Sequence, residues 1–395
     1  MLITEQKIGD GNAVTDNETE RAKRLFGPDL IRATAILCVV LSHTLPGATT
    51  FAGVRATRGV LGFVGVEIFF VLSGYLIGGI LLKQLREGTI NSLRGLSGFW
   101  KRRWFRTLPN YYLFLLLNLA LTRYVDGSLP PVAWKFLWFG EALASEHPKF
   151  FTIAWSLAVE EWFYVSFPLL LWLAMKAVKN RNLVFWITVA VFLLTPMGLR
   201  CFLTFGNWDD GLRKVTFFRL DAIMFGVILA FLQERPKCWE RLRRTWSVGV
   251  AGLAGLILYS LIIREVNVHS FFDRVLFFSL ISLSLSFIFP SVIALPPPRR
   301  IFEVPVRKIS LWSYSMYLSH PWLASVLGAM CVAAGWSIHG FNVVWLSLLN
   351  WTATIIVSAL LYSFYEKPLM DLRERSLNSL LFPRRAQPSA GGNET

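Results

Sequence analysis

Asp29-Leu-Ile-Arg32-Ala-Thr-Ala-Ile-Leu-Cys-Val-Val-Leu-Ser-His43-Thr-Leu-Pro46 is the stretch on which the reading of this chain turns. Apolar residues fill it, and two ionisable side chains, Arg32 and His43, stand eleven positions apart. Eleven residues turn a helix by about 1100°, about 20° more than three full turns, and rise about 16 Å. Arg32 and His43 therefore share one stripe of one apolar helix. Ionisable groups inside a membrane-length helix are costly and face a cavity or a partner.

Composition agrees with a membrane setting. Of 395 residues, 54% are hydrophobic and only 16% charged, well below the roughly 25% charged of a soluble domain. The net charge of +15 does not imply a nucleic-acid partner, because membrane proteins gather Lys and Arg in cytoplasmic loops. Cys38, Cys201, Cys238 and Cys331 lack the spacing of a zinc site or a disulfide framework, so no metal is expected. The polar first 25 residues contain no short apolar core after a basic start, so no cleaved signal peptide is expected.

Apolar runs of spanning length fall at roughly 29–47, 61–82, 107–125, 154–175, 184–204, 215–233, 247–263, 273–294, 311–334 and 342–364. The spacing predicts an all-α polytopic membrane protein of about ten transmembrane helices. Lys and Arg concentrate in every second connection, most densely over 83–106 and 235–244, which places both termini in the cytoplasm. Three regions are expected: a disordered cytoplasmic tail over 1–24, a membrane domain over 25–370, and a second disordered cytoplasmic tail over 371–395.

With that topology His43, Glu67, Glu160, Arg219 and Asp221 are expected in one outer-to-middle layer, drawn from four helices. A histidine, several acids and an arginine at one depth predict a reaction chamber. On the cytoplasmic side, Phe99-Trp-Lys-Arg-Arg-Trp-Phe-Arg106 sets four cations among aromatics. Two readings are open for it: a positive-inside anchor with an aromatic belt, or a phosphate cradle built on Arg103 and Arg106 with Arg32 nearby. His320 suits a hydrogen-bonded packing role as well as it suits catalysis. Ser73 reads first as a helix-packing hydroxyl, and Glu366 as the partner of a nearby arginine. Gly74-Tyr-Leu-Ile-Gly78 has the small-xxx-small spacing of packed helices.

Taken together, seven motifs resemble the acyltransferase 3 family of integral membrane acyltransferases. They are Arg32-x10-His43, Phe69-Phe-Val-Leu-Ser-Gly-Tyr-Leu-Ile77, Arg103-Trp-Phe-Arg106-Thr-Leu-Pro109, Trp155-Ser-Leu-Ala-Val-Glu160-Glu-Trp-Phe-Tyr164, Arg219-Leu-Asp221, Tyr317-Leu-Ser-His-Pro321 and Tyr365-Glu-Lys-Pro368. They occur in the family's order and cover about 26–370. The resemblance implies an enzyme that O-acylates a saccharide at a bacterial cytoplasmic (inner) membrane. It implies acyl-CoA, usually acetyl-CoA, as donor substrate, and no tightly bound cofactor. Many members carry a C-terminal extracytoplasmic esterase-like domain. None is expected after the last span here, so transfer ends in the membrane domain or through a separate extracytoplasmic transferase.

On this reading the phosphates of acyl-CoA meet Arg103, Arg106 and Arg32, and the pantetheine arm follows the stripe to His43. His43 is expected to act as general base, with Glu160, or next Glu67, orienting its ring. Ser73, Arg219, Asp221 and His320 are expected in support. The competing reading is a transporter or flippase of a glycan or acylated lipid. Such proteins show paired broken helices or internal repeats, and neither is visible in this sequence.

Overall fold

The computed structural model describes residues 25–44, 52–263, 270–336 and 341–372. The expected tail over 1–24, and all but two residues of the tail over 371–395, lie outside the described residues.

The described residues form helices and no strands. In chain order the helices are α1 (Phe26–Thr44), α2 (Ala52–Glu87), α3 (Leu93–Asp126), α4 (Ala154–Ala177), α5 (Arg181–Phe202), α6 (Leu220–Gln233), α7 (Pro236–Arg244), α8 (Trp246–Ile263), α9 (Phe277–Ile293), α10 (Arg300–Ala333), α11 (Phe341–Leu361) and α12 (Lys367–Leu372). Local sequence sets several of their ends. The Ser92 hydroxyl accepts from the Gly95 amide at the start of α3, and the Asn180 side chain caps two amides of α5. Gly127 ends α3 in the left-handed conformation that glycine adopts without a Cβ penalty. Prolines sit inside α3, α4, α5, α9 and α10. Membrane helices tolerate them because neighbouring helices satisfy the freed backbone groups.

Each of the ten expected apolar runs falls on a helix. Among the described residues seven helices are long and apolar enough to cross a membrane, and α7 with α8, bent by 51°, makes an eighth if the pair is one span. The apolar helix α6 is shorter, at 14 residues, and α3 is diluted by its charged first half. That half is the main departure from expectation. The cationic run 101–106 is not a loop ahead of a span but part of the 34-residue α3, and this turns some of its cations inward.

Backbone contact fixes how the helices around the site pack. A Cβ on Gly62 would meet the Ser42 hydroxyl at 2.8 Å, and one on Gly65 would meet the Ala35 carbonyl at 2.9 Å. As residue numbers rise on α2 they fall on the facing part of α1, so the two helices are antiparallel. Gly74 lies against the Ile223 carbonyl of α6 and Gly226 against the Val71 carbonyl of α2, with no room for a side chain at either position. α10 runs parallel to α1. Ser310 meets Arg32, and His320, ten residues further along, meets His43.

Candidate active site

A cavity of about 940 Å3, counted to its open mouth, lies among α1, α2, α3, α4 and α10. Its lining along α2 runs from Ile80 to Val66, fourteen residues apart, or about 21 Å of helix. Arg32, Ser73, Arg103, Arg106 and Glu160 all face it.

The polar wall of the cavity is a network. Arg103 donates to Glu160 Oε2 at 3.1 Å and to the Tyr164 hydroxyl at 2.5 Å, and its guanidinium lies 4.1 Å from the Tyr164 ring centre. The Tyr164 hydroxyl donates to Glu160 Oε2 at 2.8 Å. Its single proton is thereby used, so Ser73, which also bonds that hydroxyl, donates to it. Arg32 donates to Ser310 at 3.3 Å and lies 3.8 Å from Asp29. Arg103 is thus held by Glu160 within the wall, and Arg32 and Arg106 also line the cavity.

His43 and His320 lie just beyond the far end of this cavity. His43 Nδ1 is 2.7 Å from His320 Nε2, and the rings are stacked with centres 4.9 Å apart. His320 Nδ1 is 2.9 Å from the Met316 carbonyl oxygen. A carbonyl can only accept, so His320 carries its proton on Nδ1 and presents a lone pair at Nε2. His43 must then donate from Nδ1, which leaves its Nε2 as the acceptor. His320 is fully buried, whereas His43 is exposed. The Arg58 side chain holds the end of α1 by donating to the Ser42 carbonyl at 2.5 Å and the His43 carbonyl at 3.2 Å.

Two expectations need correction. The group on His43 is not a carboxylate: Glu160 is bound to Arg103 and Tyr164, and Glu67 to Arg219. Nor do the five charged residues meet in one chamber. Glu67 pairs with Arg219 and accepts from Ser282 at 3.1 Å, all within the interior. Asp221 pairs with Arg200 at 2.8 and 3.1 Å and accepts from Ser279 at 2.8 Å. Both guanidinium groups face the Phe278 ring, Arg219 at 4.1 Å and Arg200 at 5.5 Å. These four charges tie α2, α5, α6 and α9 together, away from the cavity lining. Sequence reasoning missed Arg200. Its signal was an arginine inside the apolar run 184–204, where only a buried acid could hold it. Among the described residues no group of three or more His, Cys, Asp or Glu side chains is arranged to hold a metal ion.

The connection over 127–153 packs against the segment that leads into α6. It is pinned by the Thr216 amide on the Ala142 carbonyl at 2.8 Å and the His147 amide on the Asp210 carbonyl at 3.1 Å. Glu141 and His147 are buried within it, and their side-chain polar atoms find no hydrogen-bond partner. Burial pushes the Glu141 carboxyl up to about 7 from 4.5. Burial, assisted by the Lys214 charge, pulls His147 down to about 4 from 6.5. The raised acid contributes stability that is full below pH 4.5 and lost as pH rises through 7. The lowered histidine contributes stability that is full above pH 6.5 and lost as pH falls towards 4. The melting temperature in detergent should therefore peak at mildly acidic pH. Glu141→Gln should flatten the alkaline limb, whose depth is about 3 kcal/mol. Identical alkaline limbs in the variant and the wild type would contradict this account.

The arrangement defines a helical membrane protein with a cation-mouthed cavity leading to an oriented histidine. A family model described as an acyltransferase domain matches residues 25–363, and the chain belongs to that family, acyltransferase 3. It is 26% identical over 377 residues to the peptidoglycan O-acetyltransferase OatA of Listeria monocytogenes, covering 89% of this chain and 57% of the relative. It is 25% identical over 383 residues to the O-acetyltransferase OatA of Staphylococcus aureus NCTC 8325, covering 89% and 59%. It is also 29% identical over 386 residues to a protein of S. aureus strain COL provisionally named an O-acetyltransferase, covering 91% and 59%. The chain thus spans under two thirds of the length of these relatives. No solved structure matches it.

Proposed function

We propose that this chain is an integral membrane O-acyltransferase that moves an acetyl group from acetyl-CoA to a saccharide hydroxyl. The observation that carries the reading is the order of groups along α1 and α10. A cavity lined by Arg32 extends to Tyr317, and next to Tyr317 lies a histidine pair whose free nitrogen, on His43, is a base. We take the chain to cross the membrane ten times, with residues 25–370 as the acyltransferase domain. Both ends lie in the cytoplasm, so Arg32 is at the cytoplasmic side and His43 at the outer side. The inner membrane of a bacterium is the setting that suits a cytoplasmic donor and an extracytoplasmic glycan.

In this mechanism the donor's phosphates meet Arg32 and Arg106, whose guanidinium forks suit phosphate oxygens. The arm of acyl-CoA occupies the cavity, about as long as the 21 Å of α2 that lines it. Arg103, bound to Glu160 and Tyr164, shapes the wall. The acceptor approaches from the outer side. His43 Nε2 takes the proton of the sugar hydroxyl, and the oxygen attacks the thioester carbonyl. The carbon–sulfur bond breaks, and the proton held on His43 passes to the departing thiolate, so an ester and free CoA are the products. His320 takes the place expected of an acid: its lone pair fixes the His43 tautomer and shares the positive charge that forms on the imidazole. Peptidoglycan, the substrate in the name of the Listeria relative, is the acceptor class to try first.

The test uses the full-length protein in proteoliposomes with radiolabelled acetyl-CoA and chitopentaose. Release of the CoA thiol with label entering the oligosaccharide is expected. A transporter or flippase would leave acetyl-CoA intact, and folded protein that consumes none overturns the reading.

A further inference from the structure

The cavity does not open directly onto His43. Its lining residues do not include His43 or His320 but do include Tyr317, together with Val66, Phe69 and Ser156. The Tyr317 ring is nearly fully buried, and its position is fixed three ways. The hydroxyl donates to the Ile153 carbonyl at 3.1 Å and hydrogen-bonds the Ser156 hydroxyl at 2.6 Å, and Phe69 packs edge-on with ring centres 6.3 Å apart. On its other side the ring centre is 6.1 Å from that of His320, which in turn holds His43. Tyr317 is thus the cavity-lining ring next to the imidazole pair that would take the acceptor's proton.

We propose that Tyr317 is the residue that sets acyl-chain length, by ending the donor cavity where the acyl group must lie. The proposal rests on the acyl-CoA reading above. An arm entering at Arg32 and Arg106 brings its thioester to the Tyr317 end, because only there is the carbonyl near His43. The acyl group is the last part of the donor and points at the closed end. A two-carbon group ends against Tyr317, Phe69 and Val66. Each further methylene must displace a ring held by two hydrogen bonds and an aromatic neighbour, and interiors do not yield such space freely. In apolar pockets one methylene changes selectivity by about tenfold to two-hundredfold.

Selectivity is read as thiol release from acetyl-, propionyl- and butyryl-CoA by full-length protein in proteoliposomes, with chitopentaose as acceptor. Wild-type protein should favour acetyl over butyryl by about tenfold or more. Tyr317→Ala should bring that ratio near one or invert it. Tyr317→Leu, which keeps more of the packing, should shift it the same way by less. Tyr317→Phe, which keeps the ring and loses the hydroxyl, should hold the wild-type ratio even if overall turnover falls. A ratio measured within one preparation is independent of the folded fraction, so lower yields of a variant do not mask the result. Wild-type turnover of butyryl-CoA equal to that of acetyl-CoA overturns the proposal, as does an unchanged ratio in both the Ala and Leu variants. Wild-type protein that releases thiol from no acyl-CoA overturns the donor reading and this proposal with it.

Discussion

His43→Ala is expected to lower acyl transfer by about a hundredfold to ten-thousandfold, the range in which a positioned general base contributes. The expectation follows from proton bookkeeping. The Met316 carbonyl fixes His320, His320 fixes His43, and the one imidazole nitrogen left over is an acceptor on an exposed ring. No other group in the described structure holds that position. Because His43 donates to the fully buried His320, its loss also leaves that acceptor without a donor and should cost about 1–3 kcal/mol of stability. Transfer is therefore compared at equal amounts of folded protein. His320→Gln is the informative companion. Its amide oxygen can still accept from His43 Nδ1, so it should retain more activity than His320→Ala. Near-normal transfer by folded His43→Ala protein would remove the base from the mechanism.

The second large effect is on stability. Asp221→Leu is expected to destabilise the fold by about 3–5 kcal/mol, because it leaves Arg200 charged, fully buried and without its acid. The remaining partners of Arg200 are the Phe218 and Val275 carbonyls and the Ser279 hydroxyl, which accept from its two terminal nitrogens but do not neutralise it. Removing both charges, as Arg200→Met with Asp221→Leu, should recover most of the loss. Two buried charges removed together leave neither an orphan ion nor its desolvation cost. Thermal unfolding in detergent measures both variants. A single variant as stable as wild type would show that Arg200 is reached by water or lipid headgroups and that the pair is not a brace.

How far the sequence could be read depended on the range of the interaction. The apolar runs and the Arg32–His43 stripe are local patterns with a helical period, and both survive in the structure: α1 places the two residues on the walls that α10 meets at Ser310 and His320. Partner choice was not legible. Glu160 was expected beside His43 because both were assigned to outer helix ends. It meets Arg103 instead because α3 begins at Leu93 and carries its cations into the bundle. His320 could not be ranked above a packing residue because its partner is 277 positions away. Arg200 looked like a boundary cation until Asp221 was brought to it by the turn after Thr216. Ion pairing across helices is decided by tertiary contact, on which hydropathy and charge counting carry no information.

The close seating of Gly74 on Ile223 and of Gly226 on Val71 has a mechanical consequence. Two helices whose backbones touch without intervening side chains have no soft layer through which to slide, and the Glu67–Arg219 pair bolts the same two helices a few turns away. The α2–α6 half of the molecule thus behaves as a fixed jaw, with Ser73 set in its face. Any widening of the cavity must be supplied by the opposite jaw. There, α3 and α10 meet through side chains and hydroxyl bonds, such as Tyr314 on the Thr107 carbonyl, that can be traded one at a time.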